Sequence, residues 1–366
     1  MLLEVVVLAL CPWAEAGAQQ LLFRFDGTRA EQGLGSAILG AGDLNGDGVP
    51  DIAVGAPNDD FAIGTAFVYS GAKGSTLYQV FPLELRGFFG GALASAGDLD
   101  GDGVPDLIVG APFTSRKEAY GVGSVLVFSG ATGKLLFNFV GEEGGTYMGW
   151  SVAGVGDIDQ DGVPDLAIGT PFASVGNVIG VGRVDIRSGA TGDLLYQIEG
   201  QQSGDFLGWA VASIGDLDGD GIPDLLLGAP NSSPAGLSLA GSVEVRSGRT
   251  GSLLYRINGE EPAAYLGRSL AAVGDLDGDG FDDFAVGAPA ASAQGLPESG
   301  SAFVFSGATG ALIYRFDGAA AFDEFGAAVA GGDIDGDGVP DIAIGSPSAS
   351  PGGRIGAGSA LVFSGA

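Results

Sequence analysis

Asp216-Leu217-Asp218-Gly219-Asp220-Gly221-Ile222-Pro223-Asp224 lies between two short apolar runs, Leu207-Gly208-Trp209-Ala210-Val211-Ala212-Ser213-Ile214 before it and Leu225-Leu226-Leu227-Gly228-Ala229-Pro230 after it. Two more runs follow, Gly241-Ser242-Val243-Glu244-Val245-Arg246-Ser247-Gly248 and Leu253-Leu254-Tyr255-Arg256-Ile257. Each is short, rich in Val, Ile, Leu, Phe or Tyr, and bounded by Gly, Pro, Asp or Ser. None has a 3.6-residue period of useful length, so each reads as a strand. The acidic segment is the turn that joins the first strand to the second.

This unit repeats. Gly-Asp-x-Asp-x-Asp-Gly-x-x-Asp recurs with its first Asp at Asp43, Asp98, Asp157, Asp216, Asp275 and Asp333, with Asn45 replacing the third-position Asp in the first copy. Six units of four short strands are the pattern of a β-propeller. Small residues before the acidic turn, as in Ala327-Ala328-Val329-Ala330-Gly331, suit an innermost strand crowded toward a central axis. Near the N-terminus, Leu21-Leu22-Phe23-Arg24-Phe25-Asp26-Gly27 matches the fourth-strand string Leu312-Ile313-Tyr314-Arg315-Phe316-Asp317-Gly318, whereas the sixth unit has only three strands. The fold expected is all-β: a single β-propeller over residues 19–366, of six four-stranded blades, closed by the N-terminal strand completing the last blade. Closure of this kind removes the exposed edge of an open array.

The acidic turns have the chemistry of cation sites. Their oxygen-bearing side chains fall at positions 1, 3, 5 and 9, with Gly at position 6 supplying a tight turn. A hard cation such as Ca²⁺ takes six to eight oxygen ligands, and about six Ca²⁺ sites are expected, one per repeat. The candidate ligands are Asp43, Asn45, Asp47 and Asp51 in loop 43–51; Asp98, Asp100, Asp102 and Asp106 in loop 98–106; and Asp157, Asp159, Asp161 and Asp165 in loop 157–165. Loop 216–224 offers Asp216, Asp218, Asp220 and Asp224; loop 275–283 offers Asp275, Asp277, Asp279 and Asp283; loop 333–341 offers Asp333, Asp335, Asp337 and Asp341. The seventh residues Val49, Val104, Val163, Ile222, Phe281 and Val339 are expected to add a backbone carbonyl. Several carboxylates in nine residues repel one another unless a cation neutralises them. Mg²⁺, which prefers fewer protein ligands and keeps its water, fits less well, and an EF-hand would need a twelfth-position Glu and flanking helices.

An aromatic-or-Leu-Gly segment, then an acidic loop, then Gly-Ala-Pro resembles the FG-GAP repeat of integrin α-subunit propellers and related bacterial extracellular proteins. Phe89-Gly90 with Gly110-Ala111-Pro112, and Phe325-Gly326 with Gly345-Ser346-Pro347, carry the resemblance best. It implies a calcium-stabilised propeller at the cell exterior, with calcium loops on one face and recognition loops on the other. Integrin propellers differ in having seven blades and calcium in only some of them.

Composition narrows the function. The 366 residues include 69 Gly, 45 Asp plus Glu, 15 Lys plus Arg, one Cys and no His, for a formal charge of −30. Without His, Ser-His-Asp triads, Cys-His pairs and imidazole-ligated zinc are excluded. Strong negative charge disfavours nucleic acid and anionic lipid. The apolar run Val5-Val6-Val7-Leu8-Ala9-Leu10 with small residues Ala14, Ala16 and Ala18 reads as a secretory signal peptide over residues 1–18, and no later stretch is long enough to span a bilayer. The function expected is a secreted or cell-surface (periplasmic or extracellular, if bacterial) calcium-binding propeller acting in adhesion or protein interaction, with calcium structural. The alternatives are a lectin for extracellular polysaccharide and, third, a calcium-assisted polysaccharide lyase; no catalytic constellation is recognisable, so no enzyme activity is expected. The partner expected is an extracellular protein or polysaccharide, met by the variable connections after each Gly-Ala-Pro and before each Leu-Gly or Phe-Gly, of which Phe113–Tyr120 is the most distinctive. Trp150 and Trp209 are read as blade-packing residues.

Overall fold

The computed structural model describes residues 22–29, 32–59, 63–83 and 87–365. The expected signal peptide lies outside them. Blade one is β1 (Ile38–Gly42), β2 (Asp51–Ala56), β3 (Thr65–Tyr69) and β4 (Thr76–Val80), hydrogen-bonded antiparallel in that order. Blade two is β5 (Ala92–Gly97), β6 (Asp106–Ala111), β7 (Ser124–Phe128) and β8 (Leu135–Val140), and blade three is β9 (Ser151–Gly156), β10 (Asp165–Thr170), β11 (Arg183–Arg187) and β12 (Leu194–Glu199). Blade four is β13 (Val211–Ile214), β14 (Asp224–Ala229), β15 (Ser242–Arg246) and β16 (Leu253–Asn258); blade five is β17 (Ser269–Gly274), β18 (Asp283–Ala288), β19 (Ser301–Phe305) and β20 (Leu312–Asp317). Blade six has three strands: β21 (Ala328–Gly332), β22 (Asp341–Ser346) and β23 (Ser359–Phe363). The six blades form an all-β propeller, with β5 and β17 packing on the first strands β9 and β21 of the next blades.

The second and third strands are apolar on both faces because each blade is sandwiched between two others. In β14, Leu225 and Leu227 face blade three, where they meet Ala167, Val184 and Ile186. Leu226, between them, faces blade five and packs with Phe284 and Val286. Period-two alternation thus sends neighbouring side chains into different inter-blade layers, and neither face can be polar.

Glycine sets how closely the blades approach. A Cβ on Gly55, Gly110, Gly169, Gly228 or Gly287, in the second strands, would come within 1.9–2.2 Å of the carbonyl oxygen of Gly90, Gly149, Gly208, Gly267 or Gly326 in the following blade. At the junction of blades six and one the contact is not made: a Cβ on Gly345 would have as its nearest neighbour Ala328 of its own blade at 3.5 Å, and one on Gly35 would meet nothing within 4 Å. Four first strands also end on a glycine set against the next blade's proline, as Gly274 is against Pro340, whereas Gly332 of blade six has nothing within 4 Å.

Among the described residues β23 pairs with β22 alone, and Leu22–Asp26 is not in strand conformation. The segment instead sits against blade one as a fourth strand sits against the blade that follows it. Phe23 covers Gly74, as Tyr78 covers Gly133, Phe137 covers Gly192, Tyr196 covers Gly251 and Tyr255 covers Gly310. Phe25 stacks on Tyr69 at 4.0 Å, as Phe316 stacks on Phe363 at 4.4 Å. The sequence match reports this docking correctly, but pairing with β23 also needs blades six and one to meet, and their glycines do not.

Gly228→Ala should destabilise the protein by about 1–3 kcal/mol through overpacking, whereas Gly345→Ala, at the equivalent position in blade six, should be close to neutral. Urea unfolding of the two variants measures the difference; equal losses would mean that blades six and one are in contact.

Candidate metal centres and the opposite face

Every acidic loop has the same internal wiring. The first aspartate accepts amides from later in the turn: Asp43 takes the N–H groups of Gly46, Asp47 and Gly48 at 2.8, 3.1 and 2.7 Å. The fifth-position carboxylate accepts the N–H of the seventh residue in all six loops, which fixes Val49, Val104, Val163, Ile222, Phe281 and Val339. The ninth-position aspartates Asp51, Asp106, Asp165, Asp224, Asp283 and Asp341 are at most 1% exposed. One oxygen of each accepts the N–H of the loop's second residue at 2.8–2.9 Å. The other accepts the N–H of Gly71, Gly130, Gly189, Gly248, Gly307 or Gly365, just after the third strand, at 2.8–3.2 Å.

Among the described residues, five loops bring carboxylate oxygens within 4.8 Å of one another: Asp98, Asp100 and Asp106; Asp157, Asp159 and Asp165; Asp216, Asp218 and Asp224; Asp275, Asp277 and Asp279; Asp333, Asp335 and Asp341. Asp102, Asp161, Asp220, Asp337 and Asp283 stand outside these groups. Asp220 is held by Arg249, which donates to its carboxylate at 2.8 Å and to its carbonyl at 3.0 Å. In the first loop the Asn45 amide nitrogen donates to Asp51 at 3.1 Å, leaving its amide oxygen as the candidate ligand. Three convergent hard oxygens on a turn already braced by its own amides fit a divalent cation of the Ca²⁺ type.

The ninth-position carboxylate is shifted upward in four loops, whereas the Ile334 amide holds Asp341 of the sixth below its usual range. Burial pushes the Asp106 carboxyl up to about 6, the Gly130 and Leu99 amides pull it back, and the charge of Asp100 adds to the rise. Burial likewise raises Asp165, Asp224 and Asp283. At the exposed end, the Gly48 amide is the largest influence holding Asp43 below its usual range.

A second arrangement lies at the opposite end of the blades, where first strands begin and second strands end. Phe88, Phe113, Tyr147, Trp150, Phe172, Phe206 and Trp209 form a run across blades two to four, with ring centroids 4.7–6.4 Å apart. Trp150 and Trp209 meet in a tilted contact, centroids 4.7 Å apart, across the boundary of blades three and four, so they do pack blades together. They are only half-buried, Phe113 is exposed, and the Arg268 guanidinium lies 4.8 Å over Trp209. Phe88, Tyr147 and Phe206 take φ of 55–60°, a left-handed conformation that is uncommon for aromatic residues. Their signal was in the sequence: each stands just before Phe89-Gly90, Met148-Gly149 or Leu207-Gly208.

The FG-GAP repeat model matches this chain six times, at residues 35–74, 89–128, 148–185, 207–243, 266–305 and 325–363. The chain belongs to the FG-GAP repeat family. It is 32% identical over 225 residues to integrin alpha-5 of Xenopus laevis, with 55% of this chain and 20% of the relative covered. It is 34% identical over 216 residues to integrin alpha-V of Gallus gallus, with the same shares covered. Thus it spans about a fifth of the length of these relatives. A solved structure of BBS1N in complex with ARL6DN, soaked with lead, matches with a TM-score of 0.52 at 14% identity, over 87% of this chain and 76% of that one, a likeness of fold. Among the described residues of this FG-GAP protein, no helix is long and apolar enough to cross a membrane.

Two outcomes follow from the loops. Asp106→Ala strands the buried amides of Leu99 and Gly130 and should cost about 3 kcal/mol in chemical denaturation; a neutral variant would contradict the clamp. Folded Asp106 holds its proton more tightly than the unfolded chain does, so this group lowers the stability of the cation-free protein as pH rises from 3.8 to about 6. Protons and cation compete for the same oxygens, so Ca²⁺ affinity should rise over that window. Calcium titrations across it should show tightening with pH, and a flat affinity would argue against a carboxylate site.

Proposed function

We propose that this FG-GAP propeller is an adhesion or protein-interaction module, secreted or carried at a cell surface, whose acidic loops bind Ca²⁺ for stability. The observation that carries the reading is the segregation of chemistry between the two ends of the blades. One end repeats the same acidic loop six times, as a structural element does. The other end varies from blade to blade and presents the half-buried aromatic run, as a recognition surface does.

Structural calcium also follows from the ligand sets. Most of each loop's oxygens are engaged with backbone amides, and the chain has no histidine to serve as a base. A cation there neutralises carboxylates that otherwise repel, and it stabilises the folded state by mass action. The similarity to integrin alpha chains supports an extracellular partner.

Chelation should lower the melting temperature of the purified chain by many degrees, and calcium should restore it; an unchanged melt would defeat the structural role. Retention on immobilised extracellular matrix proteins, with calcium present, tests the interaction role. Phe113→Ala with Arg268→Ala should weaken retention without changing the melt. Retention that ignores both substitutions would move the ligand site elsewhere, and binding only to polysaccharide would favour a lectin.

A further inference from the structure

Loop 216–224 differs from the other five through one residue outside the loop. Its ninth-position Asp224 accepts the Gly248 N–H at 2.9 Å, a clamp that places the next residue beside the acidic turn. That residue is Arg249, where the other repeats have Ala72, Ala131, Ala190, Ala308 and Ala366. Arg249 Nε donates to Asp220 Oδ2 at 2.8 Å, and a terminal guanidinium nitrogen donates to the Asp220 carbonyl at 3.0 Å. Among the described residues, Asp220 is the only candidate ligand paired with a basic side chain.

The pairing takes an oxygen that the other loops leave open. Each fifth-position aspartate spends Oδ1 on the amide of the seventh residue, so Oδ2 is the oxygen left for a cation. Among the described residues, Oδ2 of Asp47, Asp102, Asp161, Asp279 and Asp337 accepts no hydrogen bond. In Asp220 it is held by Arg249. Asp220 is half-buried where its five counterparts are exposed, and Ile222 is 2% exposed. A guanidinium presents its donors in a fixed fork and brings one positive charge, which is part of what a bound cation would bring to this turn.

We propose that Arg249 is a resident counter-ion that sets the calcium affinity of loop 216–224 below that of loops 98–106, 157–165, 275–283 and 333–341, which have four carboxylates and no such pairing. This rests on the calcium reading of the loops. Asp216, Asp218 and Asp224 still converge, but a cation gains the fifth-position oxygen only by displacing the guanidinium, whose charge then repels it at short range. Loop 216–224 is thus partly neutralised while empty and fills at higher calcium than those four, so the propeller loads in steps. Arg249 is a positioning residue that acts through Asp220.

Calorimetric calcium titration of the full chain and of Arg249→Ala tests this, with thermal melts in chelator beside it. Alanine is what the other repeats carry at this place, so the variant keeps a side chain that a blade accepts. One weak site of the wild type should tighten about fivefold in the variant. The metal-free variant should nevertheless melt lower than the metal-free wild type, because its loop has lost a counter-ion. In an Asp220→Asn background Arg249→Ala should lose most of its effect on affinity. A variant titration that superposes on the wild type, a site that weakens, or a tightening undiminished by Asp220→Asn would overturn the proposal while leaving the calcium reading intact. A wild-type chain that takes up no calcium would defeat both.

Discussion

A single carboxylate, buried at the loop end of each blade, ties three strands together. The Asp106 side chain accepts one amide from the turn between β5 and β6 and another from Gly130, beyond β7. Gly130 in turn accepts the Tyr78 hydroxyl of blade one at 2.5 Å. The same link joins Tyr196 to Gly248 and Tyr255 to Gly307. Taking such a charge out of water is costly unless hydrogen bonds and an opposing charge compensate it. Two amides supply part of the compensation, and a cation on the neighbouring oxygens would supply the rest. Ion site, blade and blade-to-blade contact are therefore parts of one network, and the chain has no reason to vary the loop from copy to copy.

Between blades the decisive constraint is steric. Glycine faces glycine across five junctions at distances that exclude a Cβ. That spacing lets the apolar layers from second and third strands interdigitate. Where the glycines do not meet, at the sixth junction, the strands are left more open: β21 is largely exposed, whereas β17, its counterpart one blade earlier, is half-buried along most of its length.

Much of this was legible in the sequence. Repetition at nearly constant spacing, strands recognisable by their bounding residues and the acidic loops with their Gly gave blade count and strand order. The ninth-position aspartate was read as a ligand, but spacing does not reveal that it is also buried and clamps a glycine beyond the third strand. Closure was legible in part. The match of Leu21–Gly27 to a fourth strand identifies what docks on blade one, but a strand has two neighbours, and the string does not say whether the second is present. The aromatic run was divided among three repeats, and only the ring geometry joins it.

Putting all six acidic loops at one end has an electrical consequence. Of 45 acidic side chains, 23 belong to the four-ligand sets of these turns, while the opposite end carries the aromatic rings, Arg268 and a smaller number of carboxylates such as Glu142, Glu143, Glu260 and Glu261. The cation-free molecule is therefore more negative at its loop end, a difference that filling the loops would reduce. An immobile layer of positive charge would draw the loop end toward itself and leave the aromatic end facing outward, so the distribution of charge orients the molecule before any specific contact forms.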